Sequence, residues 1–523
     1  MAKLNLGKLL GGFAQDIEDS GTSAVEARSD KYTRSTGVDL MRRGYLGNLA
    51  PAKTFGAIGD AGAVVNSYLV GSATDVSTLL VPKTYMITSA SPKIVLEDNG
   101  AVQAGTSISH GAHSSLVGED VIVYTGKVGG VVTRSLFYSF NDATDGDVGR
   151  VTLNGTPGSI GSLDDDFMSV EPSGNAVLTK GVPHKMCEGS DLVMYITNGN
   201  WIASYDGNDA DADGKFNVNA LNCGNGWVAV DVRAYKNFIA IACVNNTGET
   251  QYTHSSRSKI LLWDGFSPEP NFVYEIADSR LSALFVADSI LYAFTDGKGN
   301  TTKLWSFDGA RFKVVDEHLS SYIGKAPNRN CIDYYDDTLI WASGNSAAII
   351  QYGKLSSSSR GFHITMSNTD GTNSSATTGF LKNVEQNSVR VSGLYNATYR
   401  LIDSANGGYS VNPSLVTRLF RLPHRSIIKK VTVYFAQLGT GASVTLSLFK
   451  NKNTLSIGGS TDLLNKQLTA TALGTGTESF SFETFIDDVD SFYMNIKFDH
   501  AAVTNTAAII RDIEFEIEPT NAY

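Results

Sequence analysis

From about residue 56 the chain runs in short apolar stretches, each broken by Gly, Asn, Asp or Ser. Stretches at 121–124 and 135–140, 192–197 and 201–205, 238–244 and 260–263, 290–295 and 303–307, and 338–342 and 347–352 predict successive pairs of antiparallel strands. They are too short and too rich in β-branched and aromatic residues for helices. Asn198-Gly199-Asn200 supplies a hairpin turn within one such pair. Farther on the pattern becomes strict alternation. Val431, Val433 and Phe435, then Val444, Leu446 and Leu448 beyond Gly439-Thr440-Gly441, then Phe492, Met494, Ile496 and Phe498, and last Ile513, Phe515 and Ile517 alternate with polar or small residues. A period of two puts one face in a core and one in water, as in an antiparallel sandwich. Glu514, Glu516 and Glu518 take the wet face of the last strand, where charge discourages edge pairing.

A longer period overlies the strands. Aromatic-Asp-Gly appears as Tyr205-Asp206-Gly207, Trp263-Asp264-Gly265 and Phe307-Asp308-Gly309, with a degenerate copy at Tyr352-Gly353 and an eroded one at Phe140-Asn141-Asp142. Trp263 and Phe307 are 44 positions apart, Phe307 and Tyr352 are 45 apart, and an Asp/Asn/Gly-rich insertion stretches the first interval to 58. A period in the mid-forties made only of short strands marks the blades of a β-propeller, which must stack around an axis because one blade cannot bury both faces. The expected fold is all-β: a degenerate six- or seven-bladed β-propeller over 56–405, a C-terminal antiparallel β-sandwich over 406–523, and an N-terminal arm over 1–55. In the repeated phrase the ring packs between sheets while Asp and Gly make the turn out of the strand.

The arm differs from the rest. Leu6, Leu9, Leu10, Phe13 and Ile17 fall at helical spacing, but Gly11-Gly12 interrupts them, and residues 16–43 are polar without alternation. A segment with no core of its own is expected to order against its own propeller or a neighbouring subunit.

Composition agrees with many tight turns and excludes several functions. Only 18% of the 523 residues are charged, with 51 Gly, 22 Tyr and 24 Phe. A net charge of −11 without a basic stripe argues against a nucleic-acid binder. Cys187, Cys223, Cys243 and Cys331 lack metal-ligand spacing and read as reduced, mostly buried thiols, with a disulfide as the lesser alternative. There is no apolar stretch of signal-peptide length, and none approaches the roughly 18 apolar residues of a membrane helix. The expectation is a protein made in the cytoplasm that remains there or joins an assembly, without membrane insertion.

The sharpest chemical motif is Asp209-Ala210-Asp211-Ala212-Asp213-Gly214. Alternating carboxylates followed by Gly resemble the first half of an EF-hand loop, so Asp209, Asp211 and Asp213 are candidate calcium ligands. The twelfth position is Ala220 rather than an acid, so a cation needs Asn217, Asn219, carbonyls or water as well. A solvated acidic turn between blades is the reading preferred over a calcium site. His110 and His113 lie among Gly, Ser and Ala and read as surface residues. Asp164-Asp165-Asp166 reads as a solvated loop rather than a paired-carboxylate site. No nucleophile elbow, zinc-binding helix, phosphate loop or dinucleotide turn is present, so neither catalytic residues nor a cofactor other than calcium is expected.

With these residues in view, the layout resembles structural proteins from the tails and necks of tailed bacteriophages. Gly11-Gly12-Phe13-Ala14-Gln15-Asp16, then Arg42-Arg43-Gly44-Tyr45-Leu46, is similar to the start of such proteins, and Thr417-Arg418-Leu419-Phe420 through Phe449 is similar to their sandwich strands. The chain lacks their clear proline-rich arm. The resemblance implies a non-enzymatic virion component in a homo-oligomeric ring or tube, nozzle-like, whose partners are other virion proteins. Two alternatives stand beside it: a surface module that recognises host glycan or protein through propeller loops, and a host-polysaccharide hydrolase or lyase.

Overall fold

A computed structural model describes strands along the whole chain and, between residues 106 and 335, most of the turns that join them; residues 5–11, 14–30, 110–114, 208–215, 246–255, 355–362, 403–413 and 451–467 are among the segments outside that description. Among the described residues every element is a strand except the 3₁₀ turn Arg329–Cys331. The protein is all-β.

Between Leu69 and Ile402 the strands form consecutive antiparallel sheets, the first six each from a contiguous stretch of chain. The first holds Leu69–Asp75, Lys83–Thr88 and Lys93–Asp98, and the second Val117–Tyr124, Ser135–Asn141 and Gly146–Thr152. The third runs Met186–Glu188, Met194–Asn198, Trp201–Tyr205, Phe216–Asn222, and the fourth Val228–Tyr235, Phe238–Val244, Ser258–Trp263, Phe272–Ile276. The fifth runs Ser279–Ala287, Ile290–Gly297, Thr301–Phe307, Phe312–Leu319, and the sixth Ile332–Tyr335, Thr338–Ala342, Ile349–Lys354, His363–Ser367. The seventh, Thr377–Asn383, Ser388–Gly393 and Thr398–Ile402, takes its fourth strand, Lys53–Ala57, from the N-terminal side of the chain. The expected boundary at residue 55/56 therefore falls inside a strand. All five strand pairs read from the sequence form antiparallel ladders.

The first strands of successive sheets lie side by side. Val117–Tyr124 touches Leu69–Asp75 and Met186–Glu188, and Val228–Tyr235 touches Met186–Glu188 and Ser279–Ala287. Ser279–Ala287 meets Arg329–Cys331, and Thr377–Asn383 touches both Ile332–Tyr335 and Leu69–Asp75. The apolar residues between sheets follow from the two-residue period of a strand buried on both faces. In Phe238–Val244, Ile239, Ile241 and Cys243 join the core shared with the third sheet, while Ala240, Ala242 and Val244 join that shared with the fifth.

The repeated phrase has one structural meaning. Tyr205, Trp263 and Phe307 each end the third strand of a sheet, are 1%, 2% and 5% exposed, and sit in the core shared with the preceding sheet. Asp264 then accepts hydrogen bonds from the backbone N–H of Ser267 (2.8 Å) and Phe266 (2.9 Å). Asp308 does the same for Arg311 and Ala310. Gly207, Gly265 and Gly309 have φ of 73°, 86° and 98°, the left-handed region that favours glycine. The other two copies differ in position. Tyr352 lies within its third strand rather than at its end, and Phe140-Asn141-Asp142 ends the second strand of its sheet. The latter looked alike because its turn chemistry is the same: Asp142 accepts from the N–H groups of Thr144 and Asp145.

The C-terminal strands and the arm share one sheet with its own core. Phe420–Gln437 pairs with Ser479–His500 on one side and Ile509–Pro519 on the other. Residues 479–492 of the long strand pair with Phe420–Gln437, whereas residues 492–500 pair with Ala442–Lys450. The alternating residues expected inside, among them Val431, Val433, Leu446, Met494, Ile513 and Phe515, are buried. Ile509–Pro519 is not the bare edge its glutamates suggested. Its outer side pairs with Ala2–Leu4 and Leu46–Asn48, while Glu518 pairs with Lys429 and Tyr434 donates to Glu514. Within the arm, Lys31–Thr36 pairs with Ser414–Thr417. Phe13 lies in a two-residue strand, Gly12–Phe13, and the other members of the helical stripe fall outside the described residues.

Candidate functional site: an ion-pair cluster where the sheets meet

Two first strands carry an acid among apolar residues, Asp120 in Val117–Tyr124 and Asp231 in Val228–Tyr235. In both, the ladder register shifts immediately before the acid, between Gly118 and Asp120 and between Ala229 and Asp231. Such a bulge re-aims the side chain that follows it. Asp120 accepts from the N–H of Met186 in the third sheet (2.9 Å), and Asp231 from the N–H of Leu284 in the fifth (2.8 Å). Each acid thus ties its sheet to the next. In the fifth sheet the residue after the corresponding shift is Ala283, and the serine within the shift makes the tie instead: Ser282 donates to the carbonyl of Pro327 (2.7 Å), ahead of the sixth.

Arg329, arriving just before the sixth sheet, joins these ties. Its guanidinium is 3.1 Å from Asp231 and 3.3 Å from Asp120, and it donates to the carbonyls of Val232 and Met186. Its side chain is 10% exposed. Arg233 lies 3.9 Å from Asp231 and donates to the Leu284 carbonyl. Burial opposes the charge on Arg329, yet Asp120 and Asp231 outweigh it and hold the group above its ordinary range. Arg233 is lowered, first by burial and then by Arg329. Two cations and two anions balance, and the Arg329 and aspartate contacts are made within the protein. The cluster is built as a fastener across four sheets, with the buried Cys187 thiol beside it, pushed up to about 12 by burial.

Nothing in the charge pattern alone singled these residues out. A signal was present all the same: Val117-x-x-Asp120-Val121-x-x-Tyr124 repeats as Val228-x-x-Asp231-Val232-x-x-Tyr235, 111 positions on.

The candidates named from sequence fare as follows. Asp209, Asp211 and Asp213 lie outside the described residues, as do His110 and His113. Asn217 and Asn219 are exposed, and the Asn217 side chain accepts from the Asn219 N–H. Among the described residues no group of three or more His, Cys, Asp or Glu is placed to hold a metal ion. Asp164 faces Arg150 at 3.4 Å, while Asp165 accepts from Tyr138 and the Ser109 N–H. These two acids are thus engaged with separate partners.

The turns that follow the first and third strands lie at one end of an antiparallel sheet, and there the second to fourth sheets expose apolar side chains. Val131, Val132 and Leu192 are exposed, and Phe266 is 80% exposed. Neighbouring turns are fastened to each other: Tyr124 donates to the Leu192 carbonyl (2.8 Å), and a Cβ on Gly207 would fall 1.8 Å from the Lys127 carbonyl oxygen.

No family model and no curated protein matches the chain. Among solved structures, one titled "Structure of Dos1 propeller" is similar at 11% identity and a TM-score of 0.42, covering 69% of this chain and 96% of that one.

Proposed function

We propose that this chain is a structural component of a tailed-phage virion, a nozzle-like tail or neck part that acts by oligomeric assembly. In this reading the consecutive sheets are the blades of a seven-bladed propeller, closed by Lys53–Ala57, and the C-terminal sheet folds over as a sandwich. The observation that carries it is the apolar end of the second to fourth sheets. Val131, Val132, Leu192 and Phe266 sit on interlocked turns, where preformed apolar surface favours docking of other protein. The saturated Arg329 cluster supports a mechanical rather than chemical role. Net negative charge would keep DNA from a channel wall. The proposal includes no cofactor, no catalysis and no membrane insertion; among the described residues no helix is long and apolar enough to cross a membrane.

Electron microscopy of the purified chain and of particles that contain it tests the assignment. Rings or tubes of defined symmetry are expected, and Phe266→Asp with Val132→Asp should reduce them to monomers. A chain that stays monomeric at every concentration and is absent from particles overturns it. The exposure of Phe266 also favours a second reading, recognition of host protein or glycan through these turns, which binding to host-surface extracts distinguishes. Release of new reducing ends from host polysaccharide would instead establish an enzyme.

A further inference from the structure

Cys223 and Cys243 come from different sheets. Cys223 directly follows Phe216–Asn222, the outer strand of the third, and Cys243 lies in Phe238–Val244 of the fourth. Both are free, buried and members of one core cluster, and their thiols are in hydrogen-bond contact. A second tie holds the two segments in place. Lys259 stands directly opposite Cys243 in the ladder, donates to the Cys223 carbonyl (2.7 Å), and lies 4.4 Å over the ring of Trp227.

We propose that Cys223 and Cys243 are a redox staple, a thiol pair that closes to a disulfide between the third and fourth sheets when the protein passes from reducing to oxidising surroundings. This inference is independent of the virion reading. Thiols already in contact across two packed sheets close without a large backbone movement, and the bond would add a covalent lock to an interface that the reduced protein holds by apolar packing and by hydrogen bonds such as that from Lys259 to the Cys223 carbonyl.

The route starts at Cys223. It opens the turn at residues 223–227, where Asn225 and Gly226 are exposed and Gly224 and Gly226 have φ of 100° and 77°. Local opening of this turn admits a small peroxide. Burial and the hydrogen bond with Cys223 push the Cys243 thiol well up, which makes it the poorer first nucleophile. The Cys223 sulfur, having given up its proton, attacks one oxygen of hydrogen peroxide; the O–O bond breaks, water leaves, and a sulfenic acid remains. The Cys243 sulfur then attacks the Cys223 sulfur, the S–O bond breaks, and the thiol proton leaves with hydroxide as a second water. Two thiols and one peroxide give one disulfide and two waters, with two electrons passing from sulfur to oxygen.

The test treats the folded full-length chain with hydrogen peroxide, quenches it, and alkylates free thiols in denaturant. Four alkylated cysteines before treatment should become two, Cys187 and Cys331, and a non-reducing peptide map should join Cys223 to Cys243. The oxidised protein should unfold at higher denaturant concentration, a gain removed by a reductant and absent in Cys243→Ser. Cys331→Ser serves as a folding control that keeps the cross-link. Four thiols surviving peroxide in the folded protein, or oxidation of Cys223 beyond sulfenic acid without cross-linking, overturns the proposal, as does a bond to Cys187.

Discussion

At the scale of single residues, two positions concentrate the geometry. Gly207 combines a left-handed backbone with contact against the Lys127 carbonyl, so Gly207→Ala meets both strain and a clash. We expect a loss of about 2 kcal/mol or more, read as a lower urea midpoint with unchanged slope. His184 is fully buried, with its ring nitrogens facing the carbonyls of Thr197 (3.0 Å) and Thr179 (3.1 Å). Burial, the largest influence, lowers its pKa although those carbonyls favour the charged ring. The unfolded chain therefore takes up the proton first, and stability declines as pH falls through the ordinary histidine value of about 6.5. Replacing it, as His184→Gln, should flatten stability between about pH 7 and pH 5, where wild type slopes downward. An unchanged slope in urea titrations would count against this assignment.

At the scale of elements, the period-two patterns translated directly into ladders because each depends on neighbours one or two residues away. Tyr205, Trp263 and Phe307 were legible for the same reason: a ring, an acid and a glycine close a strand locally. The Asp120–Asp231–Arg329 cluster was not. An acid inside an apolar strand reads as solvent-facing until a bulge turns it and another sheet's N–H meets it. Arg329→Met takes the guanidinium from buried Asp120 and leaves Asp231 only the more distant Arg233, and should cost about 3–5 kcal/mol. Adding Asp120→Asn should recover part of that loss, because the two changes share one interaction. Equal and independent effects in a double-mutant cycle would show the cluster to be incidental.

At the scale of the molecule, the N-terminal segment joins distant parts. Ala2–Leu4, Lys31–Thr36 and Leu46–Asn48 pair with C-terminal strands, and Lys53–Ala57 completes the seventh sheet. Two truncations separate these roles. Deleting residues 1–52 should lower the melting temperature of the C-terminal unit and impair assembly while sparing the earlier sheets. Deleting residues 1–57 removes the closing strand as well and should shift the main transition too. Differential scanning calorimetry reads both, and identical traces for the two deletions would remove the closing role of Lys53–Ala57.

The sequence alone determined that this protein is built of strands, where many of them begin and end, which residues face inward, and that one phrase recurs as a turn at equivalent places. Those properties rest on steric alternation and on turn chemistry within a few residues. Tertiary structure decided the rest: that Phe140-Asn141-Asp142 closes a second strand, that Ile509–Pro519 is covered by the arm, and that Lys53–Ala57 belongs with Thr398–Ile402. It also brought Arg329 to acids 98 and 209 positions earlier. Partners so far apart leave no periodic trace, because hydrogen bonds and charges act through space while a pattern is read along the chain.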